Sequence, residues 1–180
     1  MKQQQQIILL ASSSAAFVAA FAIAITAIIR YYKASKINEQ TMQQFQNKDL
    51  PRGYRNNNPL NIRISANRWR GKVSPNTDGT FEQFSSMAYG FRAAIKTIQT
   101  YIRKYECNTL RSIIQRWAPP TENDTTSYIN NVSKRTGIQP DVTITPTDHN
   151  AIINIVYAMA ISENGYSPNK QDIETAWAML

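Results

Sequence analysis

The chain has very little of the residue types that build disulfide frameworks and zinc sites. Its 180 residues include one cysteine and one histidine. A single cysteine cannot form an intramolecular disulfide, and one cysteine with one histidine cannot supply the ligands of a structural zinc site. We therefore expect an ordinary hydrophobic core, and the sequence implies no metal ion and no organic cofactor.

Several common catalytic motifs are also missing. The strings GxxxxGK[ST], GxGxxG, HExxH and GxSxG do not occur. Their absence argues against nucleotide hydrolysis, dinucleotide redox chemistry, zinc proteolysis and the usual serine-hydrolase layout. Cys107 has no base beside it in the sequence, so we interpret it as a passive thiol rather than a nucleophile.

Acidic residues are scarce, and the net charge is +8. Residues 1–36 contain Lys2, Arg30, Lys33 and Lys36 but no acid, while the remainder has a moderate basic excess. Such a charge fits an anionic partner, whether a cell-wall polymer, a nucleic acid or a lipid surface, and does not choose among them.

A mostly apolar run of 23 uncharged residues extends from Ile7 to Ile29. At about 1.5 Å per residue, a helix of this length crosses a hydrocarbon core of roughly 30 Å, and the sequence therefore predicts a transmembrane helix. The alternative is a cleaved signal peptide, because Lys2 precedes the run and small residues lie near its end. We assign residues 1–33 to a membrane anchor, 34–50 to a polar, glutamine-rich tether and 51–180 to a folded domain.

The folded domain is predicted to be mainly α. Turn-forming residues dominate 51–84, which should be a loop region or a short hairpin. Apolar spacing and capping residues predict five helices after Ser85. They begin at Ser85 or Ser86, Thr109, the segment 121–124, the segment 146–148 and Ser167-Pro168, and the last ends at Leu180.

Several blocks of this domain form one pattern. They are Arg55-Asn56-Asn57-Asn58-Pro59-Leu60-Asn61-Ile62-Arg63, Trp69-Arg70-Gly71, Asp78, Phe81 with Phe84-Ser85, and Arg116-Trp117-Ala118-Pro119-Pro120-Thr121-Glu122-Asn123 with Tyr128-Ile129. These blocks resemble, in the same order, a family of phage-encoded, virion-associated proteins, and more loosely the substrate half of lysozyme-like glucosaminidases and lytic transglycosylases. The resemblance implies a small lysozyme-like helical domain.

The catalytic glutamate of those enzymes lies upstream of the asparagine block, where this chain has only Glu39 in the tether. At the other end, Ser162-Glu163-Asn164-Gly165-Tyr166-Ser167-Pro168 looks like the Glu-Ser-Gly-Phe-x-Pro string of lytic transglycosylases. The resemblance therefore implies a permuted arrangement with Glu163 as general acid. An acid at the end of an apolar helix suits that role, because burial and the helix dipole disfavour its charged form. The alternative is that Glu163 is a solvated residue that simply ends the helix.

The resemblance also implies the other site residues. Asn57, Asn58 and Asn61 would bind the N-acetyl groups of a glycan, and Trp69, Trp117 and Tyr128 would line the groove. Each aromatic could instead be a core residue. Glu122 is the second choice for the catalytic acid, although its position before a helix also suits a capping residue.

The resulting hypothesis is a membrane-anchored lytic transglycosylase or glycosidase of a phage virion, which locally opens the peptidoglycan wall as the phage enters the cell. Its partners would be glycan strands, a lipid membrane through residues 7–29 and other virion proteins, and its location a virion membrane or otherwise the bacterial inner membrane. One alternative is a catalytically inactive anchor or glycan-binding virion membrane protein. Another is a nucleic-acid-binding membrane protein, which we disfavour; it would need six cations clustered on one flat face, Arg52, Arg55, Arg63, Arg68, Arg70 and Lys72.

Overall fold

The computed structural model describes residues 25, 26, 29, 30, 33 and 50–180. The chain divides into two units, Met1–Asp49 and Leu50–Leu180. Six helices lie within residues 50–180: α1 Arg52–Arg55, α2 Met87–Tyr105, α3 Leu110–Trp117, α4 Thr125–Thr136, α5 His149–Asn164 and α6 Lys170–Ala178.

The predicted fold class is corrected in one respect, its transmembrane helix. None of the helices in the described part of the chain is both long and apolar enough to cross a membrane. The longest helix in residues 50–180, α2, has 19 residues but carries Arg92, Lys96, Arg103 and Lys104, so it is amphipathic. Most of the predicted span 7–29, and the tether up to residue 49, lie outside the described residues.

The helices begin where local hydrogen bonding supplies partners for the first backbone N–H groups. Thr109 and Ser112 form a reciprocal capping box at the start of α3. The carboxylates of Asp124 and Asp148 accept hydrogen bonds from the N–H groups of Ser127 and Ala151, at the starts of α4 and α5. These starts lie at or beside the predicted ones.

The last helix begins later than predicted. Ser167-Pro168 was predicted to begin it, but α6 starts at Lys170. The reason is the side chain of Asn169, which accepts a hydrogen bond from the N–H group of Gln171 and so provides the cap.

Residues 50–86 are mostly irregular, as the turn formers indicated. Two isolated antiparallel bridges, Arg63 with Phe81 and Lys72 with Phe84, join the two sides of this region. Asp78 fixes the turn between them, because its carboxylate accepts hydrogen bonds from the N–H groups of Thr80 and Phe81.

Helix α5 lies at the centre of the domain. Its buried residues face in several directions, as expected of a helix that packs against α1, α2, α4 and α6. The fully buried large side chains around it include Phe91, Ile95, Ile98, Ile113, Ile114 and Ile173. Because α5 is held on several sides, its C-terminal residues are placed firmly, and Glu163 is one of them.

Candidate functional site

Glu163 lies in the last turn of the central helix α5. Gly165, with φ 73°, ends the helix in the left-handed conformation that favours glycine. The carboxylate of Glu163 accepts two hydrogen bonds: Oε1 from the hydroxyl of Tyr128 at 2.9 Å and Oε2 from Nδ2 of Asn61 at 3.0 Å. These two contacts join helix α4, the loop before residue 62 and helix α5 at one point.

The backbone around Asn61 is shaped to deliver its amide to Glu163. Asn61 has φ 51°, a left-handed conformation that asparagine adopts more readily than most residues. Gly53 of α1 packs directly against this loop, and a Cβ atom added there would lie 2.8 Å from Oδ1 of Asn61 and still closer to Oδ1 of Asn164. The site therefore requires glycine at residue 53, because a side chain there would collide with Asn61 and Asn164.

Tyr128 is a partly buried donor to Glu163. Burial raises the pKa of its hydroxyl, and the neighbouring charge of Glu163 and the hydrogen bond to it raise this pKa further. The hydroxyl therefore keeps its proton at any physiological pH and remains able to donate to the carboxylate.

Two adjoining cavities open at this site, and Glu163 lines the first of them. The first, of about 310 Å³, is lined by Leu60, Asn61, Arg63, Phe81, Trp117, Ala118, Pro119, Glu122, Asn123 and Glu163. The second, of about 250 Å³, is lined by Asn61, Ile62, Arg63, Thr97, Tyr101 and Trp117. The cavities share Asn61, Arg63 and Trp117, and together we call them the groove.

Four of the residues predicted to bind substrate do not line the groove: Asn57, Asn58, Trp69 and Tyr128. The buried amide of Asn58 bonds to the backbone of Ile62 and Glu82, and the amide of Asn57 donates to the carbonyl oxygen of Phe84. Both side chains therefore hold the loop that positions Asn61. Trp69 lies in the loop between the two isolated bridges and is not among the residues that line either cavity.

Tyr128 and the other predicted residues converge near Glu163. Trp117 and Asn61 line both cavities, and Tyr128 contacts the Glu163 carboxylate. Glu122 also lines the first cavity; its side chain is 67% exposed, and its Oε2 atom is 3.9 Å from Nη2 of Arg63. The catalytic and substrate-binding roles of these residues stay predictions.

Three of the six clustered cations of the loop region pair with an acid or line the groove. Arg52 makes a bidentate ion pair with Asp78, with nitrogen–oxygen distances of 2.6 and 2.7 Å. Lys72 pairs at 2.9 Å with Glu82, whose side chain is fully buried. Arg63 turns toward the groove, so at least three of the six clustered cations serve separate local purposes.

Sequence reasoning missed Gly53 and Tyr101 as contributors to the site. Tyr101 falls on the apolar stripe of α2. Its spacing from the other apolar residues of the helix would be the same whether its ring faced the core or a groove. Gly53 is a small residue in a turn-rich segment, and only the packing shows why it must be small.

No protein-family model matches this chain. The chain is 39% identical over 127 residues to "Protein P5" of Pseudoalteromonas phage PM2. The matched region covers 69% of this chain and 78% of the phage protein.

Proposed function

This chain belongs to the family of Protein P5 of Pseudoalteromonas phage PM2, and we propose that it is a phage virion protein that cleaves the glycan strands of peptidoglycan. The membership places it among phage proteins. The lytic activity is inferred from the groove and from the resemblance of its blocks to lysozyme-like enzymes.

The position of Glu163 carries this proposal. Its carboxyl group lines a cavity beside Trp117, whose ring offers a flat surface to a sugar, and beside the Asn61 amide, which can bind an N-acetyl group. When protonated, Glu163 would donate its proton to the glycosidic oxygen as the bond to the anomeric carbon breaks. The bonding electrons then stay with the leaving oxygen.

Two routes complete the reaction. In a lytic transglycosylase, the 6-hydroxyl of the sugar attacks the anomeric carbon and Glu163 takes up the hydroxyl proton, so one carboxyl group is enough. In a hydrolase, a second carboxylate activates water or acts as nucleophile, and Glu122, on the wall of the same cavity, is available for that role.

Mass spectrometry of the fragments released from purified peptidoglycan tests the proposal. Fragments ending in 1,6-anhydro-muramic acid would identify a transglycosylase, and reducing-end sugars would identify a hydrolase. The variant Glu163→Gln keeps the shape of the side chain but has no proton to give, so its rate should fall by roughly 10² to 10⁴. Loss of activity in Glu122→Gln with full activity in Glu163→Gln would move the acid to Glu122.

Glycan binding without cleavage is a second candidate function. It is favoured by the two protein donors that already occupy the oxygens of Glu163, an arrangement suited to a fixed structural carboxylate. Binding of chitin oligosaccharides with no fragment release from peptidoglycan would support this candidate against the enzyme.

A further inference from the structure

The second cavity of the groove has a different electrostatic character from the first. Arg63 is the only charged residue among the six that line it, whereas the first cavity also contains the carboxyl groups of Glu122 and Glu163. The groove therefore has an acidic part beside Glu163 and a cationic part beside Tyr101. A ligand that bears a negative group is repelled from the first part and attracted to the second.

The guanidinium of Arg63 has free donors for such a group. Its side chain is 76% exposed, and the nearest carboxylate oxygen, on Glu122, is 3.9 Å from Nη2. That distance is too long for a hydrogen bond, so the contact is a weak, solvent-screened ion pair. A guanidinium presents five N–H donors in a planar fork that matches a carboxylate.

The walls of the second cavity are suited to a sugar ring or its substituent. The rings of Tyr101 and Trp117 meet nearly edge to face, with centroids 6.3 Å apart, and Ile62 and Thr97 complete the lining. Its volume of about 250 Å³ is below the roughly 300–1,000 Å³ of pockets for drug-sized ligands, so one ring or one short chain fills it.

We infer that the second cavity binds a carboxylate-bearing substituent of the glycan, such as the lactyl group or peptide stem of a muramic acid residue, through Arg63. This inference rests on the proposed function and adds the direction in which the glycan lies along the groove. The acidic substituent lies on the Tyr101 side of Trp117, and the bond to be cleaved lies on the Glu163 side. A neutral glycan such as chitin lacks the group that Arg63 recognises.

Calorimetric titration of the full-length chain with two probes tests this inference. N-acetylmuramyl dipeptide carries one carboxylate, on its peptide, and chitotriose is neutral. Replacing Arg63 by glutamine should weaken binding of the muramyl probe roughly tenfold, the size expected for one charge-assisted hydrogen-bonded contact, and should change chitotriose binding less than threefold. Arg63→Lys, which keeps the charge, should retain part of the preference, and added salt should weaken only the muramyl complex.

Arg135→Gln is the matched control, because Arg135 is an exposed residue of α4 that lines neither cavity. It should leave both affinities unchanged. Equal loss for both probes in Arg63→Gln would overturn the inference while leaving the proposed function standing. Failure of the wild-type chain to bind either probe would overturn both. Displacement of the muramyl probe by a short oligothymidylate would instead assign Arg63 to nucleic-acid phosphate.

Discussion

Replacement of Gly53 by alanine should disturb the candidate site more than the addition of one methyl group suggests. The added Cβ atom would lie 2.8 Å from Oδ1 of Asn61 and 2.9 Å from the carbonyl oxygen of Asn58, and closer still to Oδ1 of Asn164. Real Cβ atoms do not approach oxygen atoms this closely, so at least one of these groups must move. Asn61 is the least constrained, because its side chain is only partly buried. Its movement would break the hydrogen bond to Glu163.

The expected loss of stability can be bounded from these contacts. Forcing one extra methyl group into a packed region costs about 1–3 kcal/mol. Alanine regains at most about 1 kcal/mol of helix propensity relative to glycine, and less than that in a helix as short as α1. The free energy of unfolding should therefore fall by about 1–2 kcal/mol. The larger effect should be on glycan release, since the carboxylate would lose one of its two protein donors.

Urea unfolding and fragment release from peptidoglycan measure the two effects separately. Gly137→Ala is the control, because Gly137 has φ 74°, an added Cβ atom there would meet open space, and the residue lines neither cavity. That substitution should cost a similar 1–2 kcal/mol through backbone strain alone and leave activity unchanged. The reasoning is refuted if the free energy of unfolding of Gly53→Ala lies within about 0.5 kcal/mol of the wild-type value. It is also refuted if Gly53→Ala loses no more activity than Gly137→Ala.

Three further predictions follow from the same structure. Tyr128→Phe keeps the ring but removes the 2.9 Å hydrogen bond to Glu163, so kcat for glycan cleavage should fall about tenfold at an unchanged KM. An unchanged kcat would show that this hydroxyl does not position the acid. Residues 50–180, expressed alone, should be helical by circular dichroism and unfold cooperatively, because the described core lies within them; an unfolded fragment would contradict this boundary. The hydrogen bond from Arg52 holds the pKa of Asp78 below its ordinary value, so the stability that this pair contributes is present above about pH 4, the unfolded pKa, and is lost as the pH falls toward the lower folded pKa. In Asp78→Asn, urea unfolding between pH 2 and pH 6 should show a weaker pH dependence than in the wild type; identical dependence would remove Asp78 as its cause.

The sequence by itself determined five of the six helices described in the folded domain, while the short α1 was not predicted. Thr109, Asp124 and Asp148 supply caps from their own side chains, and Gly137 and Gly165 end two helices by adopting positive φ. These signals act within three or four residues and need no partner elsewhere in the chain. Where a competing local signal existed, as with Asn169 two residues before Gln171, the predicted start of α6 was displaced.

The candidate site was decided by tertiary structure. Glu163 and Asn61 are 102 residues apart in the chain, and only the packing of α1 and α4 around the end of α5 brings Asn61 and Tyr128 to its two oxygens. Asn57, Asn58 and Asn61 were predicted to form one binding element. The side chains of Asn57 and Asn58 instead donate hydrogen bonds to backbone carbonyl oxygens, and only Asn61 lines the groove. Residue type specifies which hydrogen bonds a side chain can form, but whether those bonds are already satisfied depends on neighbours that the sequence places far away.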